Sequence, residues 1–191
     1  NQKFENKFNW MNILILGSGI VGANLAKKLS EQGKNVYLID DNTDELNTLS
    51  ENLDIKTISD DPLDPQFYKN FKQDINYFIA VTKSDEKNIL SCKFAKDYLG
   101  VDKTIARIRN QNLINEASHS EFKTSNKFLD YVISPEQEVS SNIFEKIHMP
   151  GAFFSEKLIS NQLSLIGLKS SDLFKNHSYD EIKNFFNTNN I

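Results

Sequence analysis

Asn12-Ile13-Leu14-Ile15-Leu16-Gly17-Ser18-Gly19-Ile20-Val21-Gly22 is the stretch on which the reading of this chain turns. A short, nearly continuous apolar run stops at a glycine, which suits a strand covered on both faces, as in a parallel sheet. From Ile20 the pattern changes to helical spacing through Val21, Leu25 and Leu29, and Gly33 supplies a residue for the helix end. A strand running through Gly-x-Gly-x-x-Gly into a helix is the context that a dinucleotide fingerprint requires. Gly17 permits the tight turn, Gly19 lets a pyrophosphate approach the main chain, and Gly22 lets the helix pack closely on the strand. Free amides at the helix N-terminus, aided by the helix dipole, then face the phosphates.

Working outward, Val36 to Ile39 is a second strand that ends in Asp40-Asp41, and Leu46, Leu49 and Leu53 give the next helix an apolar face. Ile55 to Ile58 is a third strand. Pro62 and Pro65 break the chain before a short helix around Phe67 to Phe71. Ile75 to Val81 reads as a fourth strand, Glu86 to Leu99 as a longer helix closed by Gly100, and Lys103 to Ile108 as a fifth strand. Strands alternating with helices at this rhythm imply right-handed crossovers and an α/β fold with a Rossmann-like doubly wound parallel sheet. A weaker helix is expected over Asn112 to Ser118 and a sixth strand over Leu129 to Ile133. Ser134-Pro135-Glu136-Gln137 opens a helix to His148, with Ser134 as N-cap, proline at the first helical position and Gln137 completing a capping box. Beyond Gly151 the patterns give two short strands (Phe153 to Ile159, Leu163 to Leu168) and a terminal helix near Tyr179 to Phe186. A segment of that length is marginal as a domain of its own.

The acidic residue ending the second strand is close to the spacing expected of a ribose ligand. The Asp40 carboxylate can accept hydrogen bonds from the 2′ and 3′ hydroxyls and would repel a 2′-phosphate, which favours NAD or an adenine nucleotide over NADP. Open α/β sheets bind ligands outside the carboxyl ends of their strands. That rule adds Asp60, with Asp61, after the third strand, either at the adenine edge or in a solvated turn. It also adds Ala80, Val81 and Thr82, whose small side chains let the backbone approach a ligand. Ser84, Asp85 and Glu86 begin a helix, and dipole compensation accounts for the acidic pair. The chain's two arginines, Arg107 and Arg109, lie two residues apart at the end of the fifth strand, where period-two geometry places both on one side. Arginine's planar fork suits phosphate or carboxylate. One is expected to serve nucleotide phosphates and the other a carboxylate at an interface, against the alternative of a structural ion pair for each.

Composition narrows the function. With 22 basic and 26 acidic residues the formal charge is −4, and 39% hydrophobic with 25% charged residues is ordinary globular usage. No basic run suggests nucleic-acid binding. No apolar run approaches the roughly 20 residues of a membrane-spanning helix, and no secretory signal is visible. The lone Cys92 excludes an internal disulfide, fits a reducing compartment, and belongs to packing. His119, His148 and His177 lack a paired ligand spacing, so no metal site is expected.

Four motifs in order, Ile13 to Gly22, Ala80 to Asn88, Ile105 to Arg109 and Ile133 to Glu136, resemble the TrkA family of Trk potassium-uptake regulators. More broadly they resemble the KTN/RCK nucleotide-binding domains that gate bacterial potassium transporters and channels. The resemblance implies a cytoplasmic regulatory subunit, peripheral to the inner face of the plasma membrane. Such a subunit forms dimers or tetramers, binds NAD(H), ATP or ADP, and passes a conformational change to a membrane potassium transporter subunit of the TrkH/TrkG type. By position, Gly17, Ser18, Gly19, Ile20, Val21 and Gly22 would hold phosphates, Asp40 the ribose, Asp60 the adenine, and Ala80, Val81 and Thr82 the ligand-facing strand end. Arg107 and Arg109 match the family's paired arginines. Relatives that favour ATP often carry arginine in the glycine loop, whereas Ile20 stands here, which shifts the expectation toward NAD(H). The domain reading is a lead-in or tag remnant over 1–10, a nucleotide-binding (RCK N) domain over 11–133, a linking helix over 134–150 and a partial RCK C-type domain over 151–191. An NAD-dependent oxidoreductase needs a substrate domain for which too little chain remains after Gly151. A redox-sensing DNA-binding repressor would need a basic winged-helix segment, and none accompanies the fold.

Overall fold

The computed structural model describes residues 11–110, 112–113, 128–148, 152–158, 163–168 and 176–188. Strands β1 (Asn12–Leu16), β2 (Asn35–Asp40), β3 (Lys56–Ser59), β4 (Tyr77–Ala80), β5 (Lys103–Arg107) and β6 (Tyr131–Ile133) belong to one sheet. Helices α1 (Ile20–Glu31), α2 (Thr43–Asn52), α3 (Pro65–Asn70) and α4 (Asp85–Phe94) fall between them. All neighbouring strands pair in parallel, in the order β3-β2-β1-β4-β5-β6. The order reverses between β1 and β4, and at their carboxyl ends this leaves the crevice where such sheets take ligands.

Alternating side chains explain why the apolar run of β1 is unbroken. Leu14 and Leu16 join Tyr37, Ile39, Phe78, Ala80 and Ala106 in one buried cluster, covered by Phe67, Tyr68, Cys92 and Ala95. Ile13 and Ile15 join Val36, Leu38 and Ile79 in a second cluster, covered by Ala26 and Leu46. A strand with helices on both faces has no polar side to offer. Each buried Val, Leu, Ile or Phe among them contributes about 1.5–3 kcal/mol relative to exposure.

The helix boundaries follow from their caps. Asn42 accepts the amides of Asp44 and Glu45, Asp64 accepts that of Gln66 with Pro65 in the first helical position, and Ser84 accepts that of Lys87. Gly33 (φ +72°) and Gly100 (φ +63°) end α1 and the extension of α4 in the left-handed region that suits glycine. The expected single helix over Glu86 to Leu99 is α-helical only to Phe94; Ala95–Leu99 form a wider π-helical turn. Lys96 in that turn reaches the carbonyls of Val101 and Asp102 at 3.0 and 2.8 Å, tying the helix end to the entry of β5. Ile55 and Ile75 precede their strands instead of opening them; Ile75 is still buried, so its apolar character reported packing and not pairing.

Asp130 fastens β6 to β5. Its carboxylate accepts the Thr104 amide at 2.9 Å and pairs with Lys96 at 3.0 Å and Lys103 at 3.2 Å. Burial alone would raise its pKa, but the Thr104 amide and the two ammonium groups outweigh burial and hold it at about 2. The chain divides into two compact units, Asn1–Pro135 and Glu136–Ile191. The second contains most of α5 (Pro135–His148), the antiparallel pair β7 (Ala152–Leu158) and β8 (Leu163–Leu168), and α6 (Tyr179–Thr188). Ser178 and Glu181 form a reciprocal capping box at the start of α6, with the Ser178 amide donating to Glu181 at 2.7 Å. Of the helix expected over Asn112 to Ser118, Asn112 and Leu113 are helical and the rest lies outside the described residues, as does His119. No described helix is long and apolar enough to cross a membrane. No group of metal-ligating side chains assembles among the described residues.

Candidate functional site

The loop from Gly17 to Gly22 is built by backbone approach, and its three glycines do different work. Gly17 adopts φ +111°, where other residues are strained, and donates its amide to the Ile39 carbonyl at 3.0 Å. A Cβ there would also press on the Val81–Thr82 backbone at 3.2–3.3 Å. A Cβ on Gly22 would overlap the Gly17 carbonyl, so the first turn of α1 sits on the loop only because residue 22 has no side chain. Gly19 is different: its φ is an ordinary −61°, and among the described residues no atom beyond its own chain neighbours lies within 4 Å of where its Cβ would stand. Nothing among the described residues requires glycine at position 19.

Gly19 is also the N-cap of α1, and no side chain caps that helix. The contrast with the side-chain caps of α2, α3 and α4 leaves first-turn amides of α1 facing outward at the sheet's carboxyl edge. Ile20 and Val21 in that turn are 83% and 44% exposed, large apolar side chains beside the loop. Ser18 is buried; its amide donates to Asp40 Oδ2 at 2.5 Å and its hydroxyl to Glu45 Oε2 at 2.6 Å. Asp40 Oδ1 accepts the Asn42 amide at 3.1 Å. Burial would raise the Asp40 pKa, yet the amides of Ser18 and Asn42 outweigh it and keep the carboxyl below its usual range. An ionised carboxylate has about four lone-pair positions, so each Asp40 oxygen keeps room for a hydroxyl donor.

The other expected residues divide. Val81 donates its amide to the Leu16 carbonyl at 2.9 Å, and with Ala80 it lies beside the end of β1. Thr82 is held by Asn88, whose Oδ1 accepts both the Thr82 amide (3.0 Å) and hydroxyl (2.7 Å). Asn88 is fully buried and its Nδ2 donates to the Arg107 carbonyl at 2.8 Å, so one side chain joins the ends of β4 and β5. Asp60 is exposed and its Oδ1 accepts the Asp61 amide at 2.8 Å, a turn-forming role. Its own amide donates to the Asp40 carbonyl, which keeps it beside the end of β2. Arg107 ends β5 half-buried, with its Nε buried and lacking a hydrogen-bond partner among the described residues. Arg109 lies beyond the strand and is exposed, so the period-two argument for the pair stops at Arg107. Asp85 does more than offset a dipole: its Oδ2 accepts the amides of Arg109 and Asn110 at 2.9 and 2.8 Å. Cys92 is fully buried, and burial pushes its thiol pKa up, as packing and not reactivity demands. A shallow hollow between α1 and α2, lined in part by Asn24, Lys27 and Asp54, includes none of these residues.

A family model described as the TrkA-N domain matches residues 13–135, well over half of the chain. The chain belongs to the TrkA-N domain family. The TrkA-N domain is a regulatory, non-catalytic domain. It is 32% identical over 161 residues to the Trk system potassium uptake protein TrkA of Haemophilus influenzae, covering 84% of this chain and 35% of that protein. The chain thus spans about a third of the length of that curated relative. Among solved structures, the TrkA-N chain is similar to the NAD(P)-binding domain of an exopolyphosphatase-related protein from Archaeoglobus fulgidus. The TM-score is 0.59 at 20% identity, covering 71% of this chain and 96% of that one. It is also similar to the GsuK channel bound to NAD, with a TM-score of 0.59 at 18% identity, covering 78% of this chain and 26% of that one. At these identities the likeness shows a shared Rossmann-like fold.

Proposed function

We propose that this TrkA-N chain is the nucleotide-binding part of a regulatory subunit for potassium uptake, binding an adenine dinucleotide, NAD(H), as a signal that is not turned over. The observation that carries this is position 19: a glycine without any internal need to be one, capping a helix that has no side-chain cap, next to an ionised Asp40. A diphosphate fits amides presented in that way. Gly17, Ser18, Gly19, Ile20, Val21 and Gly22 would form its cradle, and Asp40 would take the ribose hydroxyls. Ala80, Val81 and Thr82 would line the crevice, Asp60 would stand at the adenine edge, and Arg107 would bring its unpartnered Nε toward the ligand, with Arg109 at the rim. The GsuK channel is bound to NAD, which supports the choice of ligand. ATP and ADP are the runners-up, and Ile20 in the loop speaks against a γ-phosphate contact.

Binding would change the relative energies of two arrangements of an assembly, dimer or tetramer, and so act on a membrane potassium transporter subunit of the TrkH/TrkG type. The relation to Trk potassium uptake proteins supports this partner and a place at the inner face of the plasma membrane. Val139, Ile143, Phe144 and Ile147 on α5 are each more than half exposed and recur at helical spacing, which suits contact with a second copy. The β7, β8 and α6 segment would be part of an RCK C-type domain, with 134–150 as its linking helix. Native mass spectrometry with NAD, NADH, ATP and ADP titrated in turn tests the reading. Retention of NAD or NADH with a defined chain count is expected; no affinity for any of the four would overturn it.

A further inference from the structure

Lys87 and Asp41 form an ion pair at 3.1 Å although 46 residues separate them. Asp41 directly follows β2, and Lys87 lies in the first turn of α4, after β4. The sheet order places β1 between those strands, so the pair reaches across two strand spacings, about 10 Å, over the carboxyl end of β1. That end is the glycine loop, where Gly19 and the uncapped turn of α1 face outward. The fold does not account for the pair: its side chains are 27% and 68% exposed, and exposed ion pairs add little to stability. Lys87 needs no salt bridge to keep its backbone in place, because Ser84 already accepts its amide at 3.1 Å.

We infer that Lys87 is a phosphate-recognition residue kept in check by Asp41. The pair is a latch over the glycine loop, and a nucleotide diphosphate settling on that loop takes the ammonium group from the Asp41 carboxylate. This rests on the nucleotide reading above and adds to it a residue and a competition. Asp41 acts against binding through Lys87, whereas its neighbour Asp40 acts for binding through the ribose. The ligand feature that matters is the diphosphate, common to NADH and ADP and absent from adenosine.

The test is a calorimetric titration of the full chain and its Asp41→Asn, Lys87→Met, Lys83→Met and Asp41→Asn/Lys87→Met variants with NADH, ADP and adenosine. Thermal melts confirm that each variant folds. Asp41→Asn should tighten NADH and ADP by about two- to fivefold and Lys87→Met should weaken them by a similar factor, the range of an exposed ion pair. Lys83→Met, which removes an exposed charge from the turn just before α4, should change them less than about twofold. The double variant should match Lys87→Met, because Asp41 has no lysine left to withhold. A gain from Asp41→Asn that persists without Lys87 would show a general field effect and overturn the latch. Unchanged affinities in both single variants, or equal effects on adenosine, would overturn it as well. A wild-type chain that binds none of the three would instead sink the nucleotide reading itself.

Discussion

The Ser18 amide donates to Asp40 Oδ2 at 2.5 Å, so the glycine loop of β1 is fastened to the end of β2 by the carboxylate proposed to receive the ribose. One side chain therefore shapes the cradle and, on that proposal, would also select what enters it. Replacing Asp40 by Asn removes the charge and turns one acceptor oxygen into a donor. Affinity for NADH should fall by tenfold or more, on the order of 1.4 kcal/mol or above. The preference for NADH over NADPH should shrink at the same time, because the carboxylate no longer repels a 2′-phosphate. Competitive titration of the two nucleotides checks this; an unchanged ratio would remove Asp40 from the ribose site.

The glycines separate stability from binding. Gly19→Ala meets no crowding atom among the described residues, so the melting temperature should stay within a few degrees, a change of about 1 kcal/mol or less. Nucleotide affinity should nevertheless drop by an order of magnitude or more. Gly22→Ala should lower stability by at least about 2 kcal/mol, since a Cβ there overlaps the Gly17 carbonyl. Urea melts and calorimetry on the two variants give both quantities.

Asn88→Leu keeps the branched side-chain outline, though with bulkier methyl groups, but strips the Thr82 amide and the Arg107 carbonyl of their partner. Each group left unpaired in a buried setting costs about 1–3 kcal/mol. A loss of about 2–4 kcal/mol in chemical denaturation is expected, and a loss below 1 kcal/mol would mean that water replaces the amide.

Acid should unfold the protein partly through Asp130. Its pKa is about 2 in the folded chain and near its ordinary value of 3.8 when unfolded. The unfolded chain therefore takes up the proton first. The contribution is complete above about pH 5 and is lost as the pH falls toward 2; it amounts to roughly 2.5 kcal/mol at most. Asp130→Asn should be less stable at pH 7 and show a flatter decline between pH 4 and pH 2. Urea midpoints across that window measure the difference.

Cys92 should resist a thiol reagent such as Ellman's in the native protein and react fully in denaturant. It is completely buried, and its thiol is held protonated. Rapid native labelling would mean that α4 opens readily from the sheet.

Most of the sheet could be read from the chain because a doubly covered parallel strand has no choice but to be apolar throughout. The runs at Ile13, Val36 and Phe78 announce themselves for that reason, and Gly33 and Gly100 mark helix ends by a backbone angle that other residues avoid. The place of Asp40 beside the glycine loop was legible from its spacing to the glycines. Asn88 and Glu45 were not assigned a part, because a polar residue buried by one specific hydrogen bond leaves no periodic trace. Asp85 looked like a helix-start charge, which it is, but its contact with the Arg109 and Asn110 amides spans 24 and 25 residues. The latch between Lys87 and Asp41 depends on strand order, which local sequence does not encode. Alternation holds only within a strand, and β5 stops at Arg107, so it does not fix which side Arg109 faces.

The unequal reasons for the three loop glycines make position 19 a marker of use. A descendant that abandoned its ligand would still be obliged by its own architecture to keep Gly17 and Gly22, yet could fill position 19 freely. Erosion of that middle residue alone would be the first visible sign that such a pocket had fallen silent while its scaffold persisted.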